Sequence, residues 1–127
     1  MTVPNDQEHL PLFRRTLRDY GESIGIEQHM LRKLEVALEE AVVNIMNYSH
    51  ATQIGMDISH TGTSAVSILL TDDGVPFDPT SFDSDTSRAV TERQIGGLGI
   101  SLMHQISDEL HYRRINGNNQ LELIKYL

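Results

Sequence analysis

The chain has 127 residues, of which 39% are hydrophobic and 22% charged, the size and composition of one globular domain with one sizeable core. It contains no cysteine, which excludes a disulfide framework, thiolate metal sites and a cysteine nucleophile. A formal charge of −8 argues against a broad nucleic-acid surface, which needs clustered Lys and Arg to displace counterions. It leaves room for a nucleotide, because Mg²⁺ and helix N-termini supply positive charge locally. No apolar run approaches the length of a bilayer span, and Met1–Asp6 lacks the basic region and apolar stretch of a secretory signal. The expectation is a single cytoplasmic domain over 1–127, with no membrane and no direct nucleic-acid partner.

In chain order, Leu10, Phe13, Leu17, Tyr20 and Ile24 recur at spacings of three and four, predicting an amphipathic helix over Glu8–Ile24. Gly25-Ile26 breaks it. A longer helix follows from about Glu27 to Tyr48, with Leu31, Leu34, Leu38, Ala41 and Ile45 on one stripe. Ala51 to Ser59 alternates through Ile54, Met56 and Ile58, as a strand with one buried face does. His60–Thr63 reads as a turn and Ala65–Thr71 as a second strand, its apolar centre Ile68-Leu69-Leu70 suiting a middle position in a sheet. Pro76–Ile95 is polar and without clear periodicity, and loops of this length within compact domains are usually functional or mobile. Leu98, Leu102 and Ile106 begin a third helix, expected to end near Glu109. Tyr112–Ile115 and Leu121–Leu127 then pair as a hairpin across Asn116-Gly117-Asn118-Asn119. This order predicts a two-layer α/β sandwich, with helices on one face of a mostly antiparallel sheet.

Three polar islands interrupt the pattern. Glu40, Asn44 and Asn47 share one stripe of the second helix, at a stretch otherwise apolar nearly all round. They either meet solvent and cap a neighbouring loop, or Asn44 offers a hard oxygen to Mg²⁺ while Glu40 orients or deprotonates a hydroxyl. Glu39 lies about 100° away on the same helix and reads as merely solvated. Asp72 ends the central strand, and Gly74 permits a backbone path that a side chain would obstruct. A carboxylate there suits an exocyclic amine such as that of adenine, although Asp-Asp-Gly is also a common turn. The stiff continuation Pro76-Phe77-Asp78-Pro79 is unlike a simple hairpin turn. Gly96, Gly97 and Gly99 crowd one helix start, where each costs up to about 1 kcal/mol relative to Ala. Free N–H groups at a helix N-terminus bind phosphate and glycines let it approach; the plainer reading is a hinge or tight packing. The six histidines are scattered and offer no convincing metal pair.

Taken together, Glu40-Ala-Val-Val-Asn44, Asp72-Asp-Gly-Val-Pro-Phe-Asp-Pro79 and Gly96-Gly-Leu-Gly-Ile100 resemble the N, G1 and G2 boxes of the GHKL ATPase class, and among its branches the anti-sigma-factor serine-protein kinases. The resemblance runs from the first helix to the last strand. It implies the two-layer ATP-binding fold of that class, with ATP and Mg²⁺ as cofactors. It implies Glu40 as general base, Asn44 as Mg²⁺ ligand and Asp72 as the adenine-reading carboxylate, with Gly74, Pro76 and Phe77 in its turn. Gly96, Gly97, Leu98, Gly99 and Ile100 become phosphate and lid contacts, and Arg93 a lid arginine reaching the γ-phosphate. Asn47 joins the nucleotide-site residues, standing where many members have His. Pro76 stands where the wider class has glycine. Only Thr2-Val3 precede Pro4 where the family has its first strand, which leaves a sheet edge and a homodimer contact there open. The implied activity is transfer of phosphate from ATP to a serine or threonine of a small antagonist protein, regulating a partner such as a sigma factor in transcription. The rival is an inert ATP-dependent switch that sequesters a partner. Retention of both Glu40 and Asn44 favours the enzyme.

Overall fold

The computed structural model describes residues 1–62, 64–81 and 98–127. Five strands form one sheet in the order β1-β2-β3-β5-β4, every neighbouring pair antiparallel. They are β1 (Thr2–Pro4), β2 (Gln53–Thr61), β3 (Ala65–Asp72), β4 (Glu109–Ile115) and β5 (Asn118–Tyr126). Among the described residues the helices are α1 (Leu10–Ser23), α2 (Gln28–Tyr48) and α3 (Leu98–Ile106), with single 3-10 turns at Gln7–His9 and Pro79–Ser81. The two-layer α/β sandwich expected from the pattern is the observed architecture.

Local chemistry explains the element bounds. Pro11 lies in the first turn of α1, where no intrahelical N–H is needed. Glu27 caps α2, its carboxylate accepting from the N–H groups of His29 and Met30 at 2.9 and 3.0 Å. Those two bonds hold Glu27 below the usual carboxylate range. α1 turns Phe13 and Leu17 inward, and α2 turns Leu31, Leu34, Leu38, Ala41, Val42 and Ile45 inward. They meet the alternate residues Ile54 and Met56 of β2, Val66, Ile68 and Leu70 of β3, and Leu121 and Leu123 of β5. Burying each such side chain is worth about 1.5–3 kcal/mol, so α2 lying on the central strands is the main source of the core. Arg18 of α1 donates to Glu35 of α2 at 2.6 Å, pairing a carboxylate that is otherwise 8% exposed.

β3 is the middle strand, but its apolar centre is not buried on both faces. Val66, Ile68 and Leu70 are buried while Leu69 is only half-buried, because the helices cover one side of the sheet. Three sequence-based bounds shift. The third helix stops at Ile106 rather than near Glu109, because Asp108 is captured by β5. Its N–H donates to Ile124 O at 2.9 Å and its carboxylate accepts from the Tyr126 N–H at 2.6 Å, so Glu109 opens β4. The last turn is shorter than Asn116–Asn119: Asn116 and Gly117, with φ of 51° and 80°, close it alone, and Asn118 and Asn119 belong to β5. β2 continues through His60 and Thr61 instead of turning there. The short N-terminal segment does pair, β1 lying against β2 with Val3 opposite Ile54.

Candidate functional site

The site is built where the C-terminal end of α2 meets the end of β3. Asp72 is the last residue of β3 and is 3% exposed. Its Oδ1 accepts the N–H of Gly74 at 2.9 Å and the side-chain amide of Asn119 at 3.0 Å. Among the described residues its Oδ2 has no hydrogen-bond partner. The chain then folds against α2. A Cβ at Gly74 would lie 2.1 Å from the Ser49 carbonyl oxygen and 2.7 Å from its carbonyl carbon, so only glycine fits. One residue on, the Val75 N–H donates to that same Ser49 oxygen at 2.7 Å. Ser49 is fully buried, and its hydroxyl returns to Ile45 O at 2.9 Å, finishing the helix. The rings of Phe77 and Tyr48 pack with centroids 5.6 Å apart. Thus the 72–77 segment is fastened to the helix that carries Glu40 and Asn44.

On α2, Asn44 is 3% exposed and donates Nδ2 to the Glu40 carbonyl at 2.8 Å. That bond uses one of the two N–H donors of the amide. Its Oδ1 has no partner among the described residues and remains an acceptor. An oxygen of this kind suits Mg²⁺, and Mg²⁺ usually keeps several waters and takes phosphate oxygens besides. Among the described residues no cluster of three or more His, Asp and Glu could hold a metal by itself. Glu40, one turn earlier, is half-exposed and in no ion pair among the described residues. Glu39, read as merely solvated, instead stands 3.8 Å from Arg14 of α1. Asn47 is exposed at the end of the same helix. Pro76 is exposed and Phe77 half-buried.

Leu98, Gly99 and Ile100 form the first turn of α3. Arg93, Gly96 and Gly97 lie outside the described residues, as does most of the 76–95 segment expected to act as a lid. Of the expected site residues, Gly74 and Phe77 meet the end of α2, Asp72 is bonded to Gly74, and Pro76 lies between them in the chain, exposed.

Several polar groups that hold the site are not evident from motif reading. Asp73 points away from Asp72 and clasps the start of β2. It accepts the Thr52 N–H at 2.7 Å, the Thr52 hydroxyl, and the Gln53 N–H at 3.2 Å. The Thr52 hydroxyl above all holds Asp73 below the usual carboxylate range. Asn119, 3% exposed, gathers Asp72, Val75, Phe77, Tyr112 and Arg114 around one amide. The Asn116-Gly117 turn signal had drawn Asn119 into the loop. Counting back by twos from Leu123 and Leu121 would have set it on the inner face of β5.

The comparisons with known proteins bear on family and fold. The family model for the histidine kinase-like ATPase domain matches residues 3–125. The serine-protein kinase RsbW of Halalkalibacterium halodurans is 25% identical over 123 residues, covering 92% of this chain and 76% of the relative. RsbW of Bacillus subtilis is 24% identical, covering 100% of this chain and 84% of the relative. The serine/threonine-protein kinase BtrW of Bordetella bronchiseptica is 30% identical over 98 residues, 73% of this chain and 68% of the relative. Among solved structures, a chain of the SiaB–SiaC complex from Pseudomonas aeruginosa has the same fold. Its TM-score is 0.70 at 14% identity, covering 98% of this chain and 86% of that one. The three boxes, the two-layer sandwich and the match across nearly all of its length establish that the chain belongs to the histidine kinase-like ATPase domain family.

Proposed function

We propose that this domain is an ATP- and Mg²⁺-dependent serine/threonine protein kinase, whose substrate is a small antagonist protein and whose regulated partner is a sigma factor or a protein used like one. The observation that carries the proposal is the buried strand-end carboxylate Asp72. One of its oxygens is saturated by protein donors and the other is left as an acceptor, on a segment that Gly74 fastens to the end of α2. An acceptor-only group in a dry rim suits the 6-amino group of adenine. Asn44 Oδ1 offers the metal oxygen, and the α3 N-terminus, with Arg93 and the glycines before it, offers positive charge to the phosphates. The serine-protein kinases among the relatives support phosphotransfer. A fold neighbour solved in a two-protein complex is in keeping with a protein partner.

Glu40 supplies the proton acceptor. Half-exposed and unpaired among the described residues, it is open to an incoming hydroxyl. It takes the seryl proton as that oxygen bonds to the γ-phosphorus and the bond to the ADP leaving group breaks. Bound Mg²⁺ neutralises phosphate charge, and most of the remaining catalysis is positioning.

Pull-down from native lysate with and without ATP, read by mass spectrometry, identifies the antagonist. Labelled-phosphate transfer to that protein then tests the kinase. Glu40→Ala is expected to cut transfer by about 10²–10⁴ while leaving ATP affinity within about threefold, as the carboxylate faces the hydroxyl rather than the nucleotide. Should wild type bind ATP and its antagonist yet transfer nothing, the kinase reading fails and a sequestering switch replaces it.

A further inference from the structure

Asn119 lies outside all three boxes, yet it is the most connected polar side chain among the described residues. It sits opposite Asp72 in the β3–β5 register and opposite Arg114 in the β4–β5 register. Its Nδ2 donates to Asp72 Oδ1 at 3.0 Å and to the Val75 carbonyl at 2.7 Å. Its Oδ1 accepts from the Phe77 N–H at 3.3 Å, from Arg114 at 3.1 Å, and from the Tyr112 hydroxyl. The amide can face only one way. Asp72 Oδ1 and the Val75 carbonyl are acceptors, while the Phe77 N–H and the Arg114 guanidinium are donors, so turning the amide over would set like against like at both ends. Arg114 also donates to the Gly74 carbonyl at 2.7 Å. Tyr112 and Arg114, both on β4, therefore hold Asn119, and Asn119 holds Asp72 and the 75–77 backbone.

We propose that Asn119 is the positioning residue for base recognition: by engaging Asp72 Oδ1 it fixes the carboxylate rotamer that leaves Oδ2 facing the base, and by engaging Val75 and Phe77 it sets the loop that closes the same pocket. This rests on the nucleotide reading above. An Asp side chain turns freely about two bonds. One that reads a single amine gains selectivity only if its rotamer is settled before the ligand arrives, since ordering it on binding reduces the net free energy. The Gly74 N–H helps, but it moves with the same turn; the Asn119 amide is anchored in a different strand.

The test compares ATP·Mg²⁺ with purine riboside triphosphate·Mg²⁺, which lacks the 6-amino group, by calorimetric titration. Wild type is expected to prefer ATP roughly tenfold or more, the worth of a hydrogen bond to a charged group, and Asp72→Ala to lose that preference. Asn119→Ser is expected to lower the preference at least about threefold, mainly by weakening ATP, with the analogue bound within about twofold of wild type. The ratio of the two affinities is what separates positioning from general damage, because partial unfolding weakens both ligands equally. An Asn119→Ser protein with the wild-type ratio, whatever its stability, overturns the proposal. If that variant does not fold, Tyr112→Phe carries the same test; it removes one donor to Oδ1 and should lower the ratio, an unchanged ratio again being fatal. Failure of wild type to bind either triphosphate would instead bring down the nucleotide reading itself.

Discussion

At the scale of single residues, the proposed site is least tolerant where backbone packs on backbone. Gly74 is the strictest case. An added Cβ would stand 2.1 Å from the Ser49 carbonyl oxygen, a backbone atom that cannot swing aside. Gly74→Ala must therefore displace the turn and break the Val75-to-Ser49 bond, at an expected cost of roughly 1–3 kcal/mol in a urea titration. ATP affinity should fall with it; a variant with the wild-type unfolding midpoint would show that the turn gives way freely. On α2, neighbouring positions divide by what their side chains touch. Asn44→Ala removes the free Oδ1 and is expected to weaken ATP binding in Mg²⁺ while changing binding in EDTA far less. Glu39→Ala loses only a half-exposed contact with Arg14 at 3.8 Å, a pair worth about 1 kcal/mol or less, and should leave both binding and transfer near wild type. Equal losses at Asn44 with and without Mg²⁺ would assign it to the helix rather than to the metal.

At the scale of elements, α2 both builds the core and carries the site, which is why its polar stripe stood out in the sequence: Glu40 and Asn44 interrupt an otherwise apolar helix end. The helices and strands were legible for the same reason, since one helical face and one sheet face are apolar and their periods differ. What stayed hidden were contacts between distant strands. Period-two logic could place Asn119 on the inner face, but its opposition to Asp72 needs the β3–β5 register, and the Tyr112 and Arg114 supports need the β4–β5 register as well. Asp72 and Asp73 were likewise hard to tell apart in sequence. In the structure, strand alternation sends one into the site and the other to Thr52 at the head of β2. That second contact has a pH signature. The Asp73 carboxyl is held below its ordinary value, so its folded state binds protons less readily than its unfolded state. The stabilisation is present in full above about pH 4–5, where the unfolded group is ionised, and is lost as pH falls through the lower folded value. Wild type should therefore exceed Asp73→Asn in thermal midpoint at neutral pH, with the gap shrinking as pH falls below the ordinary aspartate range. The same thermal midpoints for Asp73→Asn and wild type at neutral pH would mean that the charge of Asp73 contributes nothing to the clasp.

At the scale of the whole molecule, the described helices cover one side of the sheet, and the proposed site lies where the two layers meet at one end of the sandwich. A nucleotide bound at the proposed site would touch α2 and β3 and, through Asn119, the β4–β5 hairpin, so its binding should be felt by the fold as a whole rather than by one loop. A ligand that binds only the folded state adds RT ln(1 + [L]/Kd), about 2.7 kcal/mol at a hundred times Kd. For a domain of this size that corresponds to a rise in melting temperature on the order of ten degrees. Saturating ATP·Mg²⁺ is expected to produce such a shift in wild type, and Asp72→Ala to lose most of it. Thermal unfolding of the two proteins, each with and without ATP·Mg²⁺, measures this directly. The Asp72 variant also loses buried hydrogen bonds and will melt lower at the outset, so the quantity to compare is the shift within each protein and not the absolute temperatures. An unchanged wild-type melting curve at saturating ATP·Mg²⁺ would remove the nucleotide site from this end of the sandwich. A full shift retained by Asp72→Ala would leave the nucleotide in place but take the reading of its base away from the strand-end carboxylate.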